Sequence, residues 1–143
     1  MESEGIGYSK CMILGGYLAT SRQNTALVLA LSPKVKCSAS FIENNSNNDL
    51  IIHVSTYPFE KKFKFSSNDW LKLNDISKKF ERFILSSFHV FFTYIQNHSE
   101  FHQSIKNKEI IMNIKGDSEF YTEKGKTGLG SSAATTVSII TCL

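Results

Sequence analysis

Apolar and polar positions alternate at short period through the first half of the chain, and a longer period takes over after Asp75. Residues 5–14 are short and mixed in apolar character until Gly15-Gly16 breaks them, and 26–31 form a nearly continuous aliphatic run before Pro33. This predicts a strand, a glycine turn and a buried strand. Residues 34–41 alternate loosely between polar and apolar, as a strand with one wet face does, so a further strand is predicted beside the second. The asparagine-rich stretch 43–49 contains nothing to pack and reads as a surface loop. Residues 50–54 and 59–65 flank Pro58 and predict a hairpin.

Phe80, Phe83, Ile84, Phe88, Phe91, Phe92 and Ile95 then recur at spacings of three, one, four, three, one and three. That is the mark of an amphipathic helix, over about 76–96, with one bulky face that covers the sheet. A short aliphatic run at 109–114 predicts another strand, and 116–124 is polar. Lys126-Thr127-Gly128-Leu129-Gly130-Ser131-Ser132-Ala133-Ala134 follows, a glycine-serine loop running into small residues that open a helix. Strands, a long helix, a strand, a glycine loop and a helix start imply an α+β domain rather than a regularly alternating doubly wound sheet. No internal repeat is present.

Composition changes this picture little. With 143 residues and an apolar fraction of 41% the chain suffices for one core and is too short for two domains of usual size. The net charge of +3, from 16 basic and 13 acidic residues, leaves anion attraction to local placement and weighs against nucleic acid as partner. Cys11, Cys37 and Cys142 are spaced neither as metal ligands nor as a disulfide framework, which favours a reducing compartment. The acidic start at Glu2 and Glu4 and the lack of a long apolar run give no leader and no membrane span, so a cytoplasmic or peroxisomal location is expected.

The glycine loop carries the chemistry. Two glycines free the backbone for a tight turn, and the helix start behind them offers unpaired N–H groups and a positive dipole end to phosphate. The lysine precedes the glycines, so this is not a Walker loop.

Residues 126–134 resemble the second conserved motif of the GHMP kinase superfamily. Ser9-Lys10-Cys11-Met12-Ile13-Leu14-Gly15-Gly16-Tyr17-Leu18 resembles the N-terminal signature of the phosphomevalonate kinase family, which ends on Gly-Gly-Tyr-Leu where most other members carry Gly-Glu-His. Two departures stand out: Tyr8-Ser9 replaces the Pro-Gly before the lysine, and Ser21 stands where an aspartate often closes the first hairpin.

The resemblance implies a domain similar to the second domain of ribosomal protein S5. It also implies transfer of the γ-phosphoryl group of ATP to 5-phosphomevalonate, giving 5-diphosphomevalonate on the mevalonate route to isoprenoids. ATP would lie on Lys126, Thr127, Gly128, Leu129, Gly130, Ser131, Ser132 and Ala133. Ser132, or Ser131 beside it, would present a hydroxyl to Mg²⁺, and Lys10 would act as catalytic and substrate-binding charge. Tyr17 would touch substrate or fix the turn by packing, and Lys126 would add charge near the nucleotide or stand in solvent. The family's catalytic aspartate and third motif lie in later sequence, so residues 1–143 are expected to be part of a kinase whose C-terminal domain is absent here, inactive and poorly soluble alone. Another member such as mevalonate kinase or diphosphomevalonate decarboxylase, and a non-catalytic nucleotide- or RNA-binding protein, are the alternatives.

Two constellations are set aside. His98 and His102 lie four apart around Glu100 but lack a third ligand, and a polar helix end accounts for them better than zinc. The interleaved Tyr57, Phe59, Lys61, Lys62, Phe63, Lys64 and Phe65 fit a half-buried strand with lysines in water better than a nucleic-acid surface.

Overall fold

The computed structural model describes residues 1–16, 21–44, 50–57, 61–66, 79–98, 100 and 107–143. Strand β1 (Glu2–Leu14) pairs antiparallel with β2 (Leu27–Glu43). β3 (Ile51–Tyr57) and β4 (Lys61–Ser66) form the predicted hairpin, followed by helix α1 (Lys79–Asn97). β5 (Lys108–Gly116) then enters between β2 and β3, antiparallel to the first and parallel to the second, so the sheet order is β1-β2-β5-β3-β4. The parallel pair requires a crossover, and α1 supplies it. Helix α2 (Ser131–Cys142) closes the described chain.

Period-two alternation turns one set of side chains inward on each central strand. Val35, Cys37 and Ala39 of β2, Ile52 and Val54 of β3, and Ile110, Met112 and Ile114 of β5 are all buried. Register aligns them in rows, Cys37 with Ile114 and Ala39 with Met112, which in turn neighbours Val54. α1 lays Ile84, Phe88, Phe91, Phe92 and Ile95 on this face, each contributing about 1.5–3 kcal/mol by leaving water. Phe83, counted on the bulky face from its spacing, is instead exposed. The helix start expected at 76–78, most of the loop 43–49, and Phe59 lie outside the described residues.

Residues 26–30, expected within a buried strand, are exposed, Leu27 at 48%, Val28 at 44% and Leu29 at 47%, because neither α1 nor α2 covers this end of the sheet. The strand does not break at Pro33. A single strand, β2, runs through it, and the register shifts between Tyr8 and Ser9 so that Tyr8 opposes Lys34 while Ser9 opposes Leu31. Pro33 therefore sits in a bulge, where its missing N–H removes no ladder bond. Asp117 locks the far side: its Oδ2 accepts the Lys34 N–H at 3.0 Å, and its own N–H donates to the Lys34 carbonyl at 3.0 Å.

The stretch 116–124, read only as polar, folds into a 3-10 turn (Ser118–Phe120) and a small hairpin of β6 (Tyr121–Thr122) and β7 (Gly125–Lys126). Phe120 anchors it in the core at 1% exposure. Helix α2 packs on β1, β2 and α1. Its approach to β1 depends on Gly5 and Gly7, because a Cβ at either position would overlap the backbone of Ser138 or Ala134. No helix among the described residues is long and apolar enough to cross a membrane.

Candidate functional site

Residues 127–130 connect the β6–β7 hairpin to α2, and the glycines do what the sequence requires of them. Gly125, Gly128 and Gly130 have φ of 122°, 82° and 78°, all in the left-handed region. Thr127 ties the upstream side to the 3-10 turn, its N–H donating to the Phe120 carbonyl at 3.0 Å and its Oγ1 to the Glu119 carbonyl at 2.9 Å. Leu129 packs against the core.

The two motif segments, at opposite ends of the sequence, meet here. The Lys10 N–H donates to the Leu129 carbonyl at 3.3 Å. A Cβ on Gly130 would stand 3.6 Å from Lys10 Cγ, so the lysine stem lies along the loop. Beside it, α2 starts at Gly130 with no side-chain cap and no acidic residue in its first turn. The N–H groups of Ser131, Ser132 and Ala133 thus have no helical acceptor, and the positive end of the helix dipole is left uncompensated. Ser131 is buried, Ser132 half-buried and Ala133 exposed. The Lys10 stem and a row of backbone donors thus meet at the start of α2, a cradle that suits an anion.

Ser9 adds an anomaly. It is 1% exposed, sits on the α2-facing side of β1 with Gly5 and Gly7, and its Oγ has no hydrogen-bond partner. A buried hydroxyl without a partner is uncommon.

The other expected site residues are placed differently. Lys126 is exposed on β7, opposite Tyr121. Thr127 commits its N–H and hydroxyl to the hairpin side. Tyr17 lies outside the described residues, as does His102, while His98 stacks on Tyr94 at 4.0 Å between ring centres. Among the described residues no group of three His, Cys, Asp or Glu converges on a cation site. Ser131 and Ser132, at the start of α2, carry hydroxyl oxygens of the kind that suits a hard cation.

A cleft of about 840 Å³ opens on the hairpin side, lined by Tyr57, Lys115, Asp117, Glu119, Tyr121 and Glu123 among others. Lys115 stands 5.6 Å from the centre of the Tyr57 ring, and burial pushes the Tyr121 phenol up. The cleft shares Glu119 with the Thr127 contact but includes neither Lys10 nor Gly130. The other lining residues all fall within the one stretch 115–123, and only Tyr57 is brought to them from afar, by the parallel β3–β5 pairing that sets it beside Lys115.

No protein-family model matches the chain, and no curated protein matches it in sequence. Solved structures do match. A Lin0012 protein from Listeria innocua is similar over 97% of this chain and 35% of its own, with a TM-score of 0.67 at 18% identity. A mevalonate kinase is similar over 98% of this chain and 38% of its own, with a TM-score of 0.55 at 18% identity. The mevalonate kinase of Methanococcus jannaschii is similar over the same shares, 98% and 38%, with a TM-score of 0.54 at 19% identity. The chain thus spans little more than a third of the length of these structures. The likeness establishes the fold, the α+β architecture of GHMP-type kinases.

Proposed function

We propose that this chain forms the nucleotide-phosphate site of an ATP-dependent small-molecule kinase of the GHMP type, with 5-phosphomevalonate as acceptor. The observation that carries the reading is the contact between Lys10 and residues 129–130, which places the lysine of one motif on the glycine loop of the other. Two anions must be brought together in such a reaction, so alignment and positive charge matter more than covalent chemistry. The N–H groups at the start of α2 bind and orient the nucleotide phosphates, and Gly128 and Gly130 let the backbone approach them. Lys10 holds a positive charge at the transferring or acceptor phosphate. Mg²⁺, held on the protein side by Ser132 or Ser131, would supply charge neutralisation between the phosphates. The acceptor needs little help from a base, because a phosphomonoester loses its second proton near pH ~6.

Gly15-Gly16 before Tyr17 supports a phosphorylated acceptor, whereas the two mevalonate kinases of the same fold support an alcohol. Acceptor screening separates the two. Coupled ADP release from the full protein is expected with 5-phosphomevalonate and not with mevalonate, and the reverse preference would select the second reading. Lys10→Met is expected to lower turnover about 100-fold or more while leaving the far-ultraviolet circular dichroism unchanged. Turnover unaffected by Lys10→Met would sink the assignment of the site.

A further inference from the structure

Beneath the last turn of α2 lies a pair of side chains that the phosphate site does not use. Cys37 of β2 and Cys142 of α2 are 0% and 2% exposed. Gly5 is the cross-strand partner of Cys37, and a Cβ on Gly5 would stand 2.6 Å from the Cys142 nitrogen. The helix backbone at Cys142 therefore sits above the Gly5–Cys37 rung, with both cysteines buried between α2 and the same face of the sheet. Ser3 clasps the same turn: its Oγ donates to the Cys142 carbonyl at 2.6 Å, and the Cys142 thiol donates to the Ser3 carbonyl at 3.6 Å. Both cysteines are free thiols in this state.

We propose that Cys37 and Cys142 are a thiol pair that hydrogen peroxide converts into a reversible disulfide, fastening α2 to β2. The chemistry divides the roles. The hydrogen bond from Cys37 holds the Cys142 thiol down to about 7, against the opposing effects of burial and Glu4, with Ser3 and the Gly5 backbone assisting. The same contact, together with burial, pushes Cys37 up. Cys142 lies on the last turn of α2, the turn that local opening exposes, and is the attacking thiolate, while Cys37, at 0% exposure in the central strand β2, is the resolving thiol. The Cys142 thiolate attacks one peroxide oxygen, the O–O bond breaks, and the hydroxide released takes up the thiol's proton as water. Cys37 sulfur then attacks the Cys142 sulfenic sulfur, the S–O bond breaks, and the Cys37 proton leaves with that hydroxide as a second water. Two thiols lose two electrons and one peroxide gains them. Hydrogen peroxide is close to water in size, so local opening of one helical turn admits it. Because α2 carries the phosphate loop at its other end, the bond stiffens the element that builds the cradle.

The test is peptide mapping of the full protein after peroxide treatment, with free thiols alkylated under denaturing conditions. A Cys37–Cys142 linked peptide, about 2 Da lighter than its reduced parts and lost on treatment with dithiothreitol, is expected, with Cys11 still alkylated. Cys11→Ser should leave the link unchanged. In Cys37→Ser, whose hydroxyl can still donate to Cys142 but cannot form the link, dimedone should trap a sulfenic acid at Cys142, whereas Cys142→Ala should give no trapping at Cys37. Recovery of both thiols fully alkylated, oxidation of Cys142 to the sulfinic acid without a link, or trapping at Cys37 alone would each overturn the proposal.

Discussion

Replacing Gly7 with alanine sets backbone propensity against packing, and the two predict opposite signs. Gly7 lies in β1 opposite Val35, and its φ is not among the positive values that only glycine accepts readily. Propensity alone would make alanine stabilising by about 0.5–1 kcal/mol, through the smaller conformational freedom of the unfolded chain. Packing says otherwise. The new Cβ would overlap the Ala134 carbonyl oxygen and stand 2.7 Å and 2.9 Å from the Ala134 carbonyl carbon and Cα. Unstrained carbon pairs rest at about 3.5–4.0 Å, and all three obstacles are backbone, so no rotamer change relieves them. Helix α2 must retreat by about 1 Å at that turn. Overpacking of this kind costs about 1–3 kcal/mol.

The retreat also reaches the cradle. The Lys10–Leu129 hydrogen bond is already long at 3.3 Å, and moving the start of α2 stretches it out of range, adding about 1 kcal/mol. The expected net loss is about 1–3.5 kcal/mol after the propensity gain is subtracted. Urea unfolding reads it as a fall of about 0.5–1.8 M in midpoint at a slope near 2 kcal/mol/M. Nucleotide affinity, measured where both proteins remain folded, should fall as well. A midpoint for Gly7→Ala equal to or above that of the parent would refute the close approach of α2 to β1.

Ser9→Ala removes a buried hydroxyl without a partner, so thermal unfolding should show stabilisation of about 1 kcal/mol; a loss of that size would mean the hydroxyl is bonded. Asp117→Ala strips the Lys34 N–H of its carboxylate acceptor and should cost about 1.5–3 kcal/mol, with faster amide exchange at Lys34 as the local signature. Unchanged exchange there would remove Asp117 from its role at the bulge. Gly130→Ala meets no atom closer than 3.6 Å, so its cost of about 1–2 kcal/mol is conformational, and Gly130→Asn should cost less because asparagine tolerates the left-handed region. Equal losses in the two variants would show that space and not φ limits the position.

The strands and α1 were legible because alternation and the helical period report which side of an element meets the core. Val35, Cys37 and Ala39 illustrate the first, Ile84, Phe88 and Phe91 the second. The glycine loop was legible for a local reason too, since Gly128 and Gly130 must supply positive φ within one short string. What the chain pattern hid depends on partners remote in sequence. Pro33 suggests a strand end until Asp117 and the shifted register of β1 accommodate it in a bulge. Phe120, beside Tyr121 in a stretch read only as polar, gives no sign of burial until the 3-10 turn directs it inward. Phe83 has helical spacing but falls just off the covered face, which spacing alone cannot resolve when aromatics occur at adjacent positions.

Gly5 and Gly7 are the most consequential of the unread signals. They look like flexible residues near a chain start, yet at alternate positions of one strand they remove side chains from the same face. Opposite them α2 presents small residues, with Ala134, Thr135 and Ser138 buried. This lets the helix backbone rest directly on the strand, which fixes the height at which α2 begins relative to Lys10. A side chain at Gly7 would lift the first turn and shift the N–H groups of residues 131–133 relative to Lys10. The loop glycines thus let the backbone turn sharply, but the strand glycines decide where that turn sits.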